Sequence, residues 1–283
     1  MRRFALLALL PLVLALSGCF QVFSTLTVRP DGSAQLVERM TFEGMAAAGM
    51  MGMMRMQPDS TDEDDEMAGF EARASTLGEG VTFQSAERLV EPGQLVYVVT
   101  YDVADVSTLQ YSFSDAANPD GLEELLSFDE SDEMTETPDE TALYHFGFEA
   151  ASDGQPATLS ITIPDSAAVP MLDEMDPDEM TEQMAQSENF AREYDSAMIM
   201  MGRARIQLSV AVDGELVSTD GGWADGNVVT LSEMTMSEFL PFAREQAEAG
   251  TLASVATLRE TGAPIDVPGL RALPPGTVTV RFQ

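Results

Sequence analysis

Apolar and polar residues alternate over short runs through much of the chain, and tight-turn signals interrupt the alternation. Residues 22–28 and 34–42 alternate on either side of Pro30-Asp31-Gly32-Ser33, which predicts strand, turn, strand. Residues 81–90 and 94–103 repeat the pattern around Pro92-Gly93, and residues 142–150 and 157–163 repeat it around Asp153-Gly154. A further hairpin is expected from residues 203–212 and 215–218 around Asp213-Gly214.

Between these runs the period becomes helical. Ser60-Thr61-Asp62-Glu63 reads as a capping box. Met67, Phe70, Ala74 and Leu77 then share a stripe, and Gly78 supplies the stop. Asp176-Pro177-Asp178-Glu179 opens a longer helix, with proline at its first position and an acid at its third. Met180, Met184, Ala191, Tyr194, Met198 and Met201 lie on one face of it, and Gly202 ends it. Hairpin, helix, hairpin thus occurs twice, with weak identity between the blocks. The predicted fold class is α+β: a mostly antiparallel sheet built from hairpins, with helices packed on one face. Residues 127–139 read as an acidic loop, 227–231 as a short strand and 236–249 as a helix containing Pro241. In the tail, Pro264, Pro268, Pro274 and Pro275 leave room only for a final strand over 277–282.

The first 19 residues are of another kind. Arg2 and Arg3 precede an apolar run from Phe4 to Leu16, and the stretch closes on Leu16-Ser17-Gly18-Cys19. A charged start, a short apolar run and small residues before a cut make an export signal. The run is about 13 residues, short of the roughly 20 that a spanning helix needs. Leu-Ser-Gly-Cys resembles the bacterial lipobox, whose thiol takes a diacylglycerol before cleavage and whose new N-terminus is then acylated. Cys19 is the one cysteine of the chain, so no disulfide competes for it. Phe20 follows it where aspartate often signals inner-membrane retention, which favours the outer membrane in a cell that has two. The expected layout is a signal peptide at 1–18 and an α+β domain at 19–232 with a helical insertion near 176–202. A C-terminal helix and proline-rich tail occupy 233–283.

The charge balance changes the picture in one respect. There are 48 acidic residues and 14 cations, every one of them arginine. Removing residues 1–18 takes away Arg2 and Arg3 and no acid, moving the net charge from −34 to −36. Such a field repels nucleic acid and anionic lipid headgroups alike. It also makes the chain repel itself at low ionic strength, which with the absence of lysine points to a halophilic source.

The chain resembles the LppM-type lipoprotein family. The likeness begins at Cys19-Phe20-Gln21-Val22, leading into Leu26-Thr27-Val28-Arg29-Pro30-Asp31-Gly32-Ser33. It recurs over 85–109, ending in Asp105-Val106-Ser107-Thr108-Leu109, and runs more loosely through 142–163 to 229–231. The resemblance implies a mixed α and β envelope domain with lipid binding suspected and no established catalysis. It carries no functional residue across to this chain.

Methionine supplies the strongest chemical oddity, 19 in all, with Met45, Met50, Met51, Met53, Met54 and Met56 crowded together. Thioethers suit Cu(I), but flexible methionines also fill irregular apolar surfaces. Gly44, Gly49 and Gly52 interrupt the segment, leaving open a greasy flap that meets lipid or a partner, a copper site, and plain packing. The acids at 62–66 suit a helix start, where the dipole favours them. His145 is the only histidine and sits in an alternating strand; Trp223 reads as a core plug rather than an exposed recognition residue. No nucleophile elbow, metal-ligand spacing or phosphate loop is present in the sequence. The expectation is a lipid-anchored envelope protein with a non-enzymatic binding or scaffolding domain and no cofactor. Its partners are the membrane, through the acyl chains, and a lipid or envelope protein. Copper handling by the methionines is the alternative.

Overall fold

The computed structural model describes residues 18–44, 47–48, 51, 63–112, 143–152, 154–164, 203–249 and 262–283. The first half of these residues forms β1 (Gly18–Val28), β2 (Ala34–Glu43), α1 (Glu63–Thr76), β3 (Val81–Glu91) and β4 (Gln94–Val103). A 3-10 turn (Val106–Thr108) then leads to β5 (Gln110–Ser112), β6 (Leu143–Glu149) and β7 (Ala157–Ile163). The second half supplies β8 (Arg205–Val212), β9 (Leu216–Thr219), β10 (Trp223–Asp225), β11 (Val228–Thr235) and α2 (Met236–Glu248). The chain closes with β12 (Ile265–Val267), β13 (Leu270–Ala272) and β14 (Gly276–Phe282).

The strands make two sheets. The larger runs β12-β13-β11-β8-β1-β2-β4-β3, with β10 added on β11, and the smaller runs β5-β6-β7-β14-β9. All pairings are antiparallel except β1 with β8, which run parallel with Gln21 opposite Arg205 and Val28 opposite Val212. A parallel pair needs a crossover, and here the smaller sheet begins within it. Predominantly β structure with two helices, among the described residues, is the observed form of the α+β class.

Alternation explains which faces meet. Val22, Leu26 and Val28 of β1, Leu36, Met40 and Phe42 of β2, and Leu95, Tyr97, Val99 and Tyr101 of β4 point inward from the larger sheet. Tyr144, Phe146, Leu159, Ile161, Val280 and Phe282 answer from the smaller one, and all belong to one buried cluster. The sheets are also pinned by polar contacts: the Tyr111 hydroxyl donates to Ser24 Oγ at 2.6 Å, and Tyr144 hydrogen-bonds Ser232. Helix α1 lies against β3, with Phe70 stacked on Phe83 at 6.4 Å and tilted against Tyr97. Helix α2 closes a second, smaller cluster: Phe239 and Met236 pack with Met234, Ile265 and Leu270.

Three of the predicted hairpins form with the expected strands: β1–β2, β3–β4 and β6–β7. The expected hairpin around Asp213-Gly214 does not. Both edges of β8 are already taken, by β1 and β11. The chain therefore leaves that sheet, and Glu215 exchanges hydrogen bonds of 2.8 and 3.1 Å with Gln283 as β9 joins β14. The apparent repeat of hairpin, helix, hairpin fails with it. The tail holds more than one strand, because Pro268-Gly269 turns β12 back as β13. The strand expected at 227–231 extends to Thr235, with a register shift between Thr230 and Ser232. The capping box at 60–62, the acidic loop at 127–139 and the long helix at 176–202 lie outside the described residues.

Candidate functional site

Cys19 is the second residue of β1, in register with Glu43 of β2. No connecting segment separates it from the sheet: its neighbour Phe20 already stacks on Phe42, with ring centroids 6.4 Å apart. The strand continues into the inward positions Val22, Ser24, Leu26 and Val28, which anchor it in the centre of the larger sheet.

Of the methionines crowded between positions 45 and 56, Met51 is described. It is half-buried and packs against the main cluster, as does the fully buried Ala47. Met50, Met53, Met54 and Met56 lie outside the described residues. Among the described residues no group of three or more His, Cys, Asp or Glu side chains is placed to hold a metal ion. No described helix is long and apolar enough to cross a membrane.

The Cys19 end of the larger sheet also carries a cleft of about 460 Å³, lined by Arg205, Glu233, Glu238, Asp266, Gly269 and Arg271 among others. Two of its three carboxylates are held by its two arginines. Arg205 donates to Glu233 at 2.6 Å, and Arg271 lies 3.6 Å from Glu233 and 3.4 Å from Asp266. The Trp223 indole N–H donates to Asp266 at 3.0 Å while Arg271 lies over its ring at 5.7 Å. Arg205 similarly covers Phe23 at 5.2 Å. This arrangement clasps the β12–β13 hairpin to β11. Trp223 is half-buried, packing on the main cluster with one side and donating to Asp266 at the surface with the other, so it plugs the core only in part.

A second polar group lies in the interior. Glu38, in the centre of β2, accepts from Arg73 of α1 at 2.8 Å, and both side chains are less than a tenth exposed. Tyr101 and Tyr111 stand near this pair. Burial pushes the Tyr111 phenol far above its usual range and the negative Glu38 adds to the effect, while Arg73 and the bond to Ser24 oppose it. Tyr101 shifts the same way for the same two reasons. Its hydroxyl is buried without a hydrogen-bond partner among the described residues. Neither residue of the Glu38–Arg73 pair was singled out from sequence. The signal was present, since Glu38 holds an inward phase of an alternating strand and Arg73 falls between Phe70 and Leu77 on the helix stripe.

His145 lies on the exposed face of β6, opposite Gln110 and Thr162. Across the strands it faces the amide of Gln110 and the hydroxyl-bearing Thr162.

No family model matches this chain, and no curated protein does. Among solved structures it is similar to the folded domain of LppM from Mycobacterium tuberculosis, determined by NMR. The sequences are 12% identical, with 94% of this chain and 91% of that one covered and a TM-score of 0.28.

Proposed function

We propose that this is a cell-envelope lipoprotein, held to a membrane by acyl groups on Cys19, whose body binds or scaffolds rather than catalyses. The carrying observation is the coincidence of two independent features at one residue. The sequence reads as an export signal ending at Leu16-Ser17-Gly18-Cys19, and Cys19 is itself paired in the folded sheet, opposite Glu43 of β2. Cleavage before Cys19 removes the apolar segment and leaves β1 nearly whole. Each acyl CH₂ contributes about 0.8 kcal/mol of membrane affinity, and two or more chains make a stable anchor. Non-enzymatic action accords with the cleft at this end, whose carboxylates are largely held by arginines. The ligand class is a lipid or an envelope protein, and the outer membrane is the location where there are two.

The test is mass spectrometry of the mature chain from cells grown on labelled palmitate. A labelled N-terminal peptide beginning at acylated Cys19 is the expected result. An unlabelled chain, or one that begins at another residue, removes the proposal.

A further inference from the structure

We infer that the cleft lined by β8, β11, the β12–β13 hairpin and the first turn of α2 binds a neutral saccharide through neighbouring hydroxyl groups. This goes beyond the envelope reading above and does not depend on acylation of Cys19.

Strand register gathers the polar groups. Gln207, Glu233, Arg271 and Asp266 form one row across β8, β11, β13 and β12. Arg205 pairs with Thr235 two residues along. Residues paired across strands share a face, as do residues two apart in a strand. Two guanidinium groups, two carboxylates and a hydroxyl therefore stand together. A third carboxylate, Glu238, reaches the cleft from α2. Gly269 lets the hairpin approach that helix, because a Cβ there would collide with the backbone of Thr235, Glu238 and Phe239.

These groups are held in place without being used up. Arg205 lies over Phe23 and Arg271 over Trp223, and Glu233 and Asp266 fix the two guanidinium groups from beside. Both arginine side chains nevertheless stay nearly half exposed. A guanidinium carries five N–H donors, and Arg205 commits one nitrogen, Nη2, to both Glu233 and Gln207. Glu238 is exposed and has no cation or hydrogen-bond donor as partner among the described residues. Side chains fixed beforehand in this way lose little freedom when a ligand arrives.

The mixture of signs decides the ligand's charge. An anion drawn to Arg205 or Arg271 meets three carboxylates in the same cleft, on a chain of net charge −34. A cation drawn to Glu238 meets the two arginines. No group of three or more His, Cys, Asp or Glu among the described residues is placed for a metal ion. A hydroxyl, in contrast, accepts from a guanidinium and donates to a carboxylate at once. Adjacent hydroxyls on a sugar ring repeat that pair of bonds. The cleft's volume of about 460 Å³ suits a small ligand. Six of its ten lining residues are charged or hydroxyl-bearing, which disfavours an acyl chain.

Trp223 is the chain's one tryptophan, and its indole N–H donates to Asp266 of the cleft, so its emission reports on occupancy. The full-length chain is titrated at high salt, in a detergent without a sugar headgroup, with maltohexaose, cellohexaose and mannohexaose. A saturable change in emission with at least one of them at millimolar concentration is expected. Glu238→Ala removes no hydrogen bond or ion pair of the described fold, and should weaken that binding about tenfold with circular dichroism unchanged. Vesicles carrying a diglycosyl diacylglycerol separate two sources of the same chemistry. A response to them alone assigns the saccharide to a lipid headgroup, and a response to a free hexasaccharide assigns it to a glycan. Inorganic phosphate or spermidine acting in place of sugar would make this an ion site and overturn the inference. Parent-like affinity in Glu238→Ala, or silence toward every sugar-bearing probe, would overturn it too. Each of these outcomes leaves the acylation of Cys19 to be read separately from the mass spectrum.

Discussion

Arg73 Nη2 stands 2.8 Å from Glu38 Oε1 in the interior, joining α1 to the centre of the larger sheet across 35 residues of chain. Helix α1 has few apolar side chains to hold it, with Phe70 and Ala74 the main inward ones. The ion pair therefore fixes where the helix docks. Removing one partner leaves a charge buried, which costs about 3–5 kcal/mol, whereas replacing both with apolar residues of similar size is often neutral or stabilising. Glu38→Gln and Arg73→Met should each lower the urea midpoint steeply and raise amide exchange in residues 63–76. The double variant Glu38→Leu/Arg73→Met should recover most of the loss. Additive losses in the double variant would show that the pair is not what holds the helix. As a surface comparison, Arg203→Ala breaks a 3.7 Å pair with Glu43 that is largely solvent-exposed on the arginine side, and should cost under about 1 kcal/mol.

Alkaline pH should unfold the protein through its buried phenols. Burial raises Tyr144 to about 12, a shift that its hydrogen bond with Ser232 only partly opposes, against about 10 in an unfolded chain. Above that lower value the unfolded chain loses a proton that the folded one keeps, so stability falls as pH rises. The contribution is complete below about 10 and is lost through about 12, with a slope approaching 1.4 kcal/mol per pH unit per phenol. Tyr111 and Tyr101 act in the same direction. Urea midpoints followed from about pH 9 to 12 should decline less steeply in Tyr144→Phe than in the parent. An unchanged slope would count against Tyr144.

Gly269 and Gly93 make a matched pair of turn glycines, both with φ near +75°. A Cβ at 269 would meet the Phe239 backbone nitrogen and the Thr235 carbonyl oxygen, where the β12–β13 turn presses on the start of α2. A Cβ at 93 meets nothing within 4 Å. Gly93→Ala should cost about 1–2 kcal/mol, the conformational penalty alone. Gly269→Ala should cost more and shift thermal unfolding further, because backbone must move. Equal shifts would mean that the turn yields without disturbing the helix.

A net charge of −34 should make the fold dependent on salt. At 10 mM salt the screening length grows to about 30 Å, so carboxylates across the whole body repel one another. Circular dichroism of the chain should lose strand signal on dialysis from molar salt and regain it on return. Full retention in low salt would refute the halophilic reading.

Local patterning was legible wherever neighbours in sequence are neighbours in the sheet. The β1–β2, β3–β4 and β6–β7 hairpins were readable because alternation and a two- or four-residue turn signal suffice to pair adjacent strands. The hairpin at 213–214 was misread because Asp-Gly also marks a chain leaving one sheet for another, and only the occupied edges of β8 distinguish the two. Glu38 was passed over because its partner lies 35 residues away on a helix whose stripe reads apolar without it.

Sequence alone carries the reading of residues 1–19 as an export signal ending at Cys19, and it determined the inward phase of the paired strands, since both depend on residues a few positions apart. Tertiary structure alone decided that β8 lies parallel to β1, that Glu38 meets Arg73, and that Val90 and Leu89 stand level with Phe20 and Gln21. Each of those joins residues separated by 35 to 184 positions, and no short-range pattern encodes such a meeting. It follows from burying both inner faces at once, a condition satisfied only by the whole chain.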